Sequence, residues 1–232
     1  AKGAGKSRNH YQGFQRLLVK MRLLTPWYGG QPIKGNPHLQ ERWDASPYKP
    51  ESLAQVVREE SKGPKKVTVH FDRPELCFER AWDGRLFVHG GAVRAWLGAA
   101  AHTLGFSEEG LRQQVGTGGI LIKPTVLTVE QRPICDAKKG GMGMAVYEVL
   151  PAGQEVSFVL EVPTSGQSAP SLEQWVQVLQ LAALYPRNSL SPARGRMSGS
   201  TVVLSVESVE NPAPLTVGKV SAQDVVHLSG GW

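Results

Sequence analysis

Cysteine is scarce in this chain. Its 232 residues contain two, Cys77 and Cys135, far apart in sequence. That spacing excludes a disulfide framework and a cysteine metal cluster, and it suits a reducing cytoplasm. Long apolar runs are missing too. Nothing approaches the ~20 residues of a membrane span, so no membrane contact is expected. The histidines, His10, His38, His70, His89, His102 and His227, are scattered. No pair of them has metal-ligand spacing on one helix, so neither a metal nor a cofactor is expected. No G-x-S-x-G elbow surrounds a serine. Asp44, Asp72 and Asp83 fall in loops, and nothing singles one out for acid–base work. No catalytic residue is therefore assigned. "GAGKS" at Gly3–Ser7 resembles the end of a phosphate-binding loop. The full pattern needs an upstream glycine, a strand before it and a helix after it, and the residues here supply none of them.

What is present is a modest excess of positive charge. Lysine and arginine total 26 against 20 acidic residues, a net +6, and the pI is near 9.4. That balance favours nucleic acid or another polyanion as partner. The length suits one large domain or two small ones. Residues 1–15 read as a basic flexible arm without the apolar segment of a secretory signal. Its Lys2, Lys6 and Arg8 are placed to touch phosphates non-specifically.

Periodicity then divides the chain. In "RLLVKMRLL", Leu17, Val19, Met21 and Leu23 share one face and Lys20 and Arg22 the other, the mark of a half-buried strand. "TPWYGGQP" ends it. Residues 31–64 are rich in proline and charge and read as an insertion, with a short helix over 51–60 behind Pro50-Glu51-Ser52. "KVTVHF" predicts a strand with Val67, Val69 and Phe71 on one face. Asp83-Gly84 predicts a hairpin turn. "GGAVRAWLGAAAHTLGF" predicts a helix with Val93, Trp96, Leu97, Ala100 and Leu104 inward, ended by Gly105. "GILIKPTVLTVE" is strand-like but broken at Pro124. "CDAKKGGMGMAVYEV" reads as a projecting hairpin tip. "QEVSFVLEV" is a strand, and "SLEQWVQVLQLAALYP" a helix capped by Ser171. A last strand covers 201–207, and residues 211–232 read as a tail packed on the domain or on a neighbour. Without the insertion, residues 16–210 follow a β-α-β-β-α-β plan. That is an α+β, ferredoxin-like (RRM-like) core with two helices on one face of an antiparallel sheet.

Two stretches invite chemistry. "SPARGRMSGS", Ser191–Ser200, places Arg194 and Arg196 among Gly195 and Gly199 between a helix and a strand. A turn needs one glycine and no arginine. Glycines let the backbone approach a partner, and arginines reach for negative charge. His89 precedes Gly90-Gly91 at the start of the first long helix. Two readings stand there: glycine for close packing, or a helix N-terminus that receives an anion.

"DGRLFVHGGAVRAWLGAAAHTLG", "YEVLPAGQEVSFVLEV" and "LEQWVQVLQLAALYPRNSLSPARGRMSGSTVVLSVESVE", in that order over about residues 80–210, resemble the CRISPR RAMP superfamily. The closest type is the backbone subunit of multi-subunit effectors, several copies of which stack along a guide RNA. The resemblance implies a core that binds single-stranded guide RNA, beside other copies of itself, other effector subunits and a paired DNA or RNA target. It implies that Gly90, Gly91 and Arg94, with the adjoining His89, lie near RNA phosphates. Arg194, Gly195, Arg196 and Gly199 match the superfamily's glycine-rich loop, although Met197-Ser198 interrupt it. Lys138 and Lys139 are placed on a projecting thumb. Some backbone subunits slice RNA with an aspartate in the loop after the first strand; "TPWYGGQPIKGNPH" has none, so slicing is not expected. Two other roles fit the same core. One is a structural protein of a phage or virion. The other is a guide-processing endoribonuclease with His89 or His38 as general base.

Overall fold

A computed structural model describes residues 13–51, 53, 56–62, 65–107, 115–136, 141–163, 170–184, 189–193, 199–209 and 214–215. Along them run β1 (Phe14–Leu23), β2 (Trp27–Tyr28), β3 (Gln31–Pro32), α1 (Pro37–Ala45), β4 (Val57–Lys62), β5 (Lys65–His70), β6 (Leu76–Cys77), β7 (Glu79–Arg80) and β8 (Leu86–Val88). Then come α2 (Gly90–Thr103), β9 (Ile120–Ile122), β10 (Thr128–Asp136), β11 (Gly141–Leu150), β12 (Glu155–Pro163), α3 (Leu172–Leu184), β13 (Thr201–Ser208) and β14 (Pro214–Leu215). The fold is α+β, with three helices and several largely antiparallel sheets among the described residues.

β1 lies between β12 and β13, antiparallel to both. Its alternation dictates this position. Leu17, Val19, Met21 and Leu23 are all buried, and the register sets Leu17 opposite Leu160, Val19 opposite Phe158 and Met21 opposite Val156. Buried side chains of this kind contribute about 1.5–3 kcal/mol each. α2 and α3 cover that face. Trp96 of α2 stands edge-on to Phe158, with ring centroids 6.4 Å apart, and its indole N–H donates to the Ala182 carbonyl of α3 at 2.6 Å. A reciprocal cap starts α3: the Gln174 N–H donates to Ser171 Oγ, and the Ser171 N–H donates to Gln174 Oε1. On the free edge of β12, Gly116 and Glu161 exchange backbone hydrogen bonds in an antiparallel bridge.

A second sheet runs β10-β11-β6-β3, with β2 also paired to β11. β11 extends further into "CDAKKGGMGMAVYEV" than the expected hairpin tip allows. Its residues Ala145–Leu150 are buried on both faces, so the segment is a core strand there.

The helix expected over 51–60 is not found; Val57–Lys62 is a strand. It pairs with Lys65–His70, whose β-branched Val67, Thr68 and Val69 favour a pleated partner. The helix of this region lies earlier, in α1. Asn36 Oδ1 accepts the Leu39 N–H at 3.2 Å and Pro37 occupies the first turn, both strong helix-start signals. Leu39 and Trp43, one turn apart, pack with Ile33 and Cys77 in a small separate core. Val67, expected on a buried face, is exposed because the β4-β5 ribbon pairs with no other strand among the described residues.

Candidate nucleic-acid interface

The turn after β1 is clasped by the described ends of the glycine–arginine loop. The Tyr28 N–H donates to Ser191 Oγ at 2.8 Å, and the Ala193 N–H donates to the Tyr28 carbonyl at 2.9 Å. Glycine permits the fit. A Cβ on Gly30 would lie 2.4 Å from the Pro192 carbonyl oxygen, and one on Gly199 would lie 2.3 Å from Ser189 Oγ. Gly199 is thus a packing residue at the foot of the loop. Arg194, Gly195 and Arg196 lie outside the described residues, as do Lys138 and Lys139.

At α2 the two glycines separate. A Cβ on Gly90 would lie 2.6 Å from the Thr117 carbonyl oxygen, so Gly90 serves close packing. Its neighbour in that contact, Gly119, sits at φ +91°, a conformation that suits glycine. Gly91 meets nothing within 4 Å and is exposed. One turn on, Arg94 is half-buried and has no ion-pair partner among the described residues. His89 precedes the helix without capping it through its side chain. Its imidazole stands edge-on to Phe87, and its Nε2 is 2.5 Å from Glu79 Oε2.

Both glycine elements meet the short strip Cys77–Arg80. Gly29 fits against the Cys77–Phe78 backbone, where a Cβ would come within 2.2 Å of the Cys77 carbonyl carbon. Glu148 of β11 accepts the Phe78 N–H on its carboxylate at 3.0 Å and the Gly29 N–H on its backbone carbonyl at 2.9 Å. Its carboxylate also pairs with Arg80, and both side chains are fully buried. Burial pushes the Glu148 carboxyl up from its ordinary value, and Arg80 opposes that shift. Burial likewise pushes the Cys77 thiol up to about 12, so at neutral pH it is no nucleophile.

Next to the strip lies a cleft of about 400 Å³ between α1 and the β7-β8 turn. His38 and Arg42 of α1 line it, with Gln31, Glu79 and Trp82. Trp82 is 90% exposed, and the Arg42 guanidinium lies over its ring at 4.4 Å. The sequence reading missed Arg42, Glu79 and Trp82 as site residues. Asn36-Pro37 was the available signal for the helix that carries Arg42. A tryptophan beside the Asp83-Gly84 turn, where nothing buries it, was the signal for Trp82. Among the described residues, no three His, Cys, Asp or Glu side chains are grouped to hold a metal ion. No described helix is long and apolar enough to cross a membrane.

No family model and no curated protein matches the sequence. Among solved structures, the chain is similar to one in a cryo-electron-microscopy structure of Type III-B Cmr-beta bound to cognate target RNA. The TM-score is 0.48 at 5% identity, over 86% of this chain. The match spans 62% of that neighbour's length. At this level of likeness, the functional argument rests on the chain's own residues.

Proposed function

We propose that this chain is a non-catalytic RNA-binding backbone subunit of a multi-subunit, CRISPR-type ribonucleoprotein. Copies of it stack along a single-stranded guide RNA in the cytoplasm, beside other effector subunits and a paired DNA or RNA target. The order β1, α2, the Gly116 edge, β12, α3, β13, with β1 between β12 and β13, supports a ferredoxin-like core of the RAMP plan. The observation that carries the reading is convergence. The foot of the glycine–arginine loop and the His89–Gly91 helix start are both tied to the strip Cys77–Arg80. Basic side chains and bare backbone read phosphates and leave base edges free for pairing, as a guide-coating subunit requires. Arg94, Arg194, Arg196, Lys138 and Lys139 supply the charge in this reading.

The test is fluorescence anisotropy of a single-stranded RNA of about 30 nucleotides across a salt series, with wild type beside Arg194→Ala/Arg196→Ala. Weaker binding and a salt slope shallower by about 2 are expected for the double variant, one unit per lost phosphate contact. No binding by wild type at low salt overturns the reading and leaves self-assembly without RNA as the role of the core.

The His89–Glu79 contact favours a second reading, guide-RNA processing. A carboxylate that fixes an imidazole prepares it to take a proton from a 2′-hydroxyl. Incubation with a hairpin RNA separates the two roles. Cleavage by wild type that is lost in both His89→Ala and Glu79→Gln would make the chain an endoribonuclease; intact RNA removes that role.

A further inference from the structure

We infer that the cleft between α1 and the β7-β8 turn holds one unpaired nucleobase of a single-stranded RNA, stacked on Trp82 on the ring face away from Arg42. The inference deepens the RNA-binding reading and rests on it. A tryptophan at 90% exposure, with a guanidinium over one face, leaves the other face bare. Such a surface takes a base of any identity, because every base has a π-face. Arg42 is held in place rather than swinging: its Nη1 donates to the Arg80 carbonyl at 2.9 Å, which fixes the guanidinium above the ring. It has no carboxylate partner among the described residues, so its charge remains available to a phosphate.

The rest of the lining fits a flat, hydrogen-bonding heterocycle better than an apolar protein side chain. Gln31 brings an amide with donor and acceptor side by side, His38 a ring nitrogen, and Glu79 a carboxylate already engaged by His89. Leu39 and Trp82 are the apolar lining residues. A cleft of about 400 Å³ is of the size that small ligands occupy. Glu79 also joins this cleft to the helix start at His89, so a strand crossing Gly91 can place its next base on Trp82.

The probe is a short oligouridylate with a single 2-aminopurine, whose fluorescence is quenched by stacking. Wild type is expected to bind it and quench it. Trp82→Ala is expected to abolish the quench and weaken binding about tenfold, with the salt slope unchanged because no charge is removed. Trp82→Tyr should restore most of both. Trp82 is exposed, so folding is not at stake, and circular dichroism checks it. Binding and quenching by Trp82→Ala equal to wild type overturn the inference while the RNA reading stands. The same holds if Trp82→Ala changes only self-association in sedimentation, which makes the surface a protein contact. If wild type binds no RNA, the RNA reading fails, and the cleft is judged with adenosine monophosphate. The indole N–H resonance of Trp82 is assigned by its loss in Trp82→Phe. A shift of that resonance upholds the cleft as a base site, and no shift overturns it.

Discussion

Arg80 and Glu148 pair between β7 and β11 with neither side chain exposed to solvent. Every part of the proposed interface is fastened to this pair or to its immediate neighbours. Glu148 holds the Gly29 turn and Phe78, the Arg80 carbonyl holds Arg42, and Glu79, next to Arg80 in the chain, holds His89. A buried pair of this kind is not itself a large source of stability, because both charges are desolvated. Its effect is to specify one arrangement of the strip between two loops.

Breaking one half of the pair is expected to be severe. Arg80→Leu leaves a buried carboxylate uncompensated and should cost about 3–5 kcal/mol in urea unfolding. Arg80→Met/Glu148→Leu, which removes both charges, should recover most of that loss. A single variant that unfolds at the wild-type midpoint would show that water reaches Glu148 in solution and that the strip is held by other contacts.

The half-buried strands were legible because alternation is local. Leu17 to Leu23 and Val156 to Val162 announce their faces, and the stripes of α2 and α3 do the same at helical spacing. The region 31–64 was less legible for two physical reasons. α1 is short and weakly amphipathic, so its cap at Asn36 and Pro37 is its clearest signal. β4 reads as charged helix-former sequence, and pairing with β5 overrides that propensity. The glycines of "HGG" were legible as a pair, but the sequence does not say which one packs. That depends on Thr117 and Gly119, which approach from a distant loop. Trp82 and Arg42 meet only in three dimensions, and no spacing in the chain foretells it.

Alkaline pH should loosen the same region. Burial, helped by the charge of Glu148, raises the Cys77 thiol to about 12. Burial, with the hydrogen bond to Glu130, raises the Tyr28 hydroxyl to about 12. Both groups lose their protons more readily in the unfolded chain, where a thiol titrates near about 8.5 and a phenol near about 10. Their contribution to stability is therefore intact below those ordinary values and falls as pH rises from there through about 12. Urea midpoints should be level from pH 7 to 8 and decline above about 9. Cys77→Ala should flatten the first part of that decline. A level curve up to pH 11 in wild type would mean that water solvates both groups in the folded protein.

Gly90 and Gly91 give the sharpest separation of folding from binding. A methyl group on Gly90 would collide with the Thr117 carbonyl, so Gly90→Ala should lose about 1–3 kcal/mol by overpacking. A methyl on Gly91 meets open space in the first turn of α2. Alanine is the better helix former by up to about 1 kcal/mol, so Gly91→Ala should melt at or above the wild-type temperature. Its effect on RNA should run the other way. If a phosphate rests on the bare backbone there, the methyl displaces it and costs about tenfold in affinity, the worth of one hydrogen bond to a charged group. Thermal melts and anisotropy on the same two proteins read both quantities. A Gly91→Ala protein that is stable and binds as wild type takes the start of α2 out of the interface. The RNA reading would then depend on the glycine–arginine loop alone.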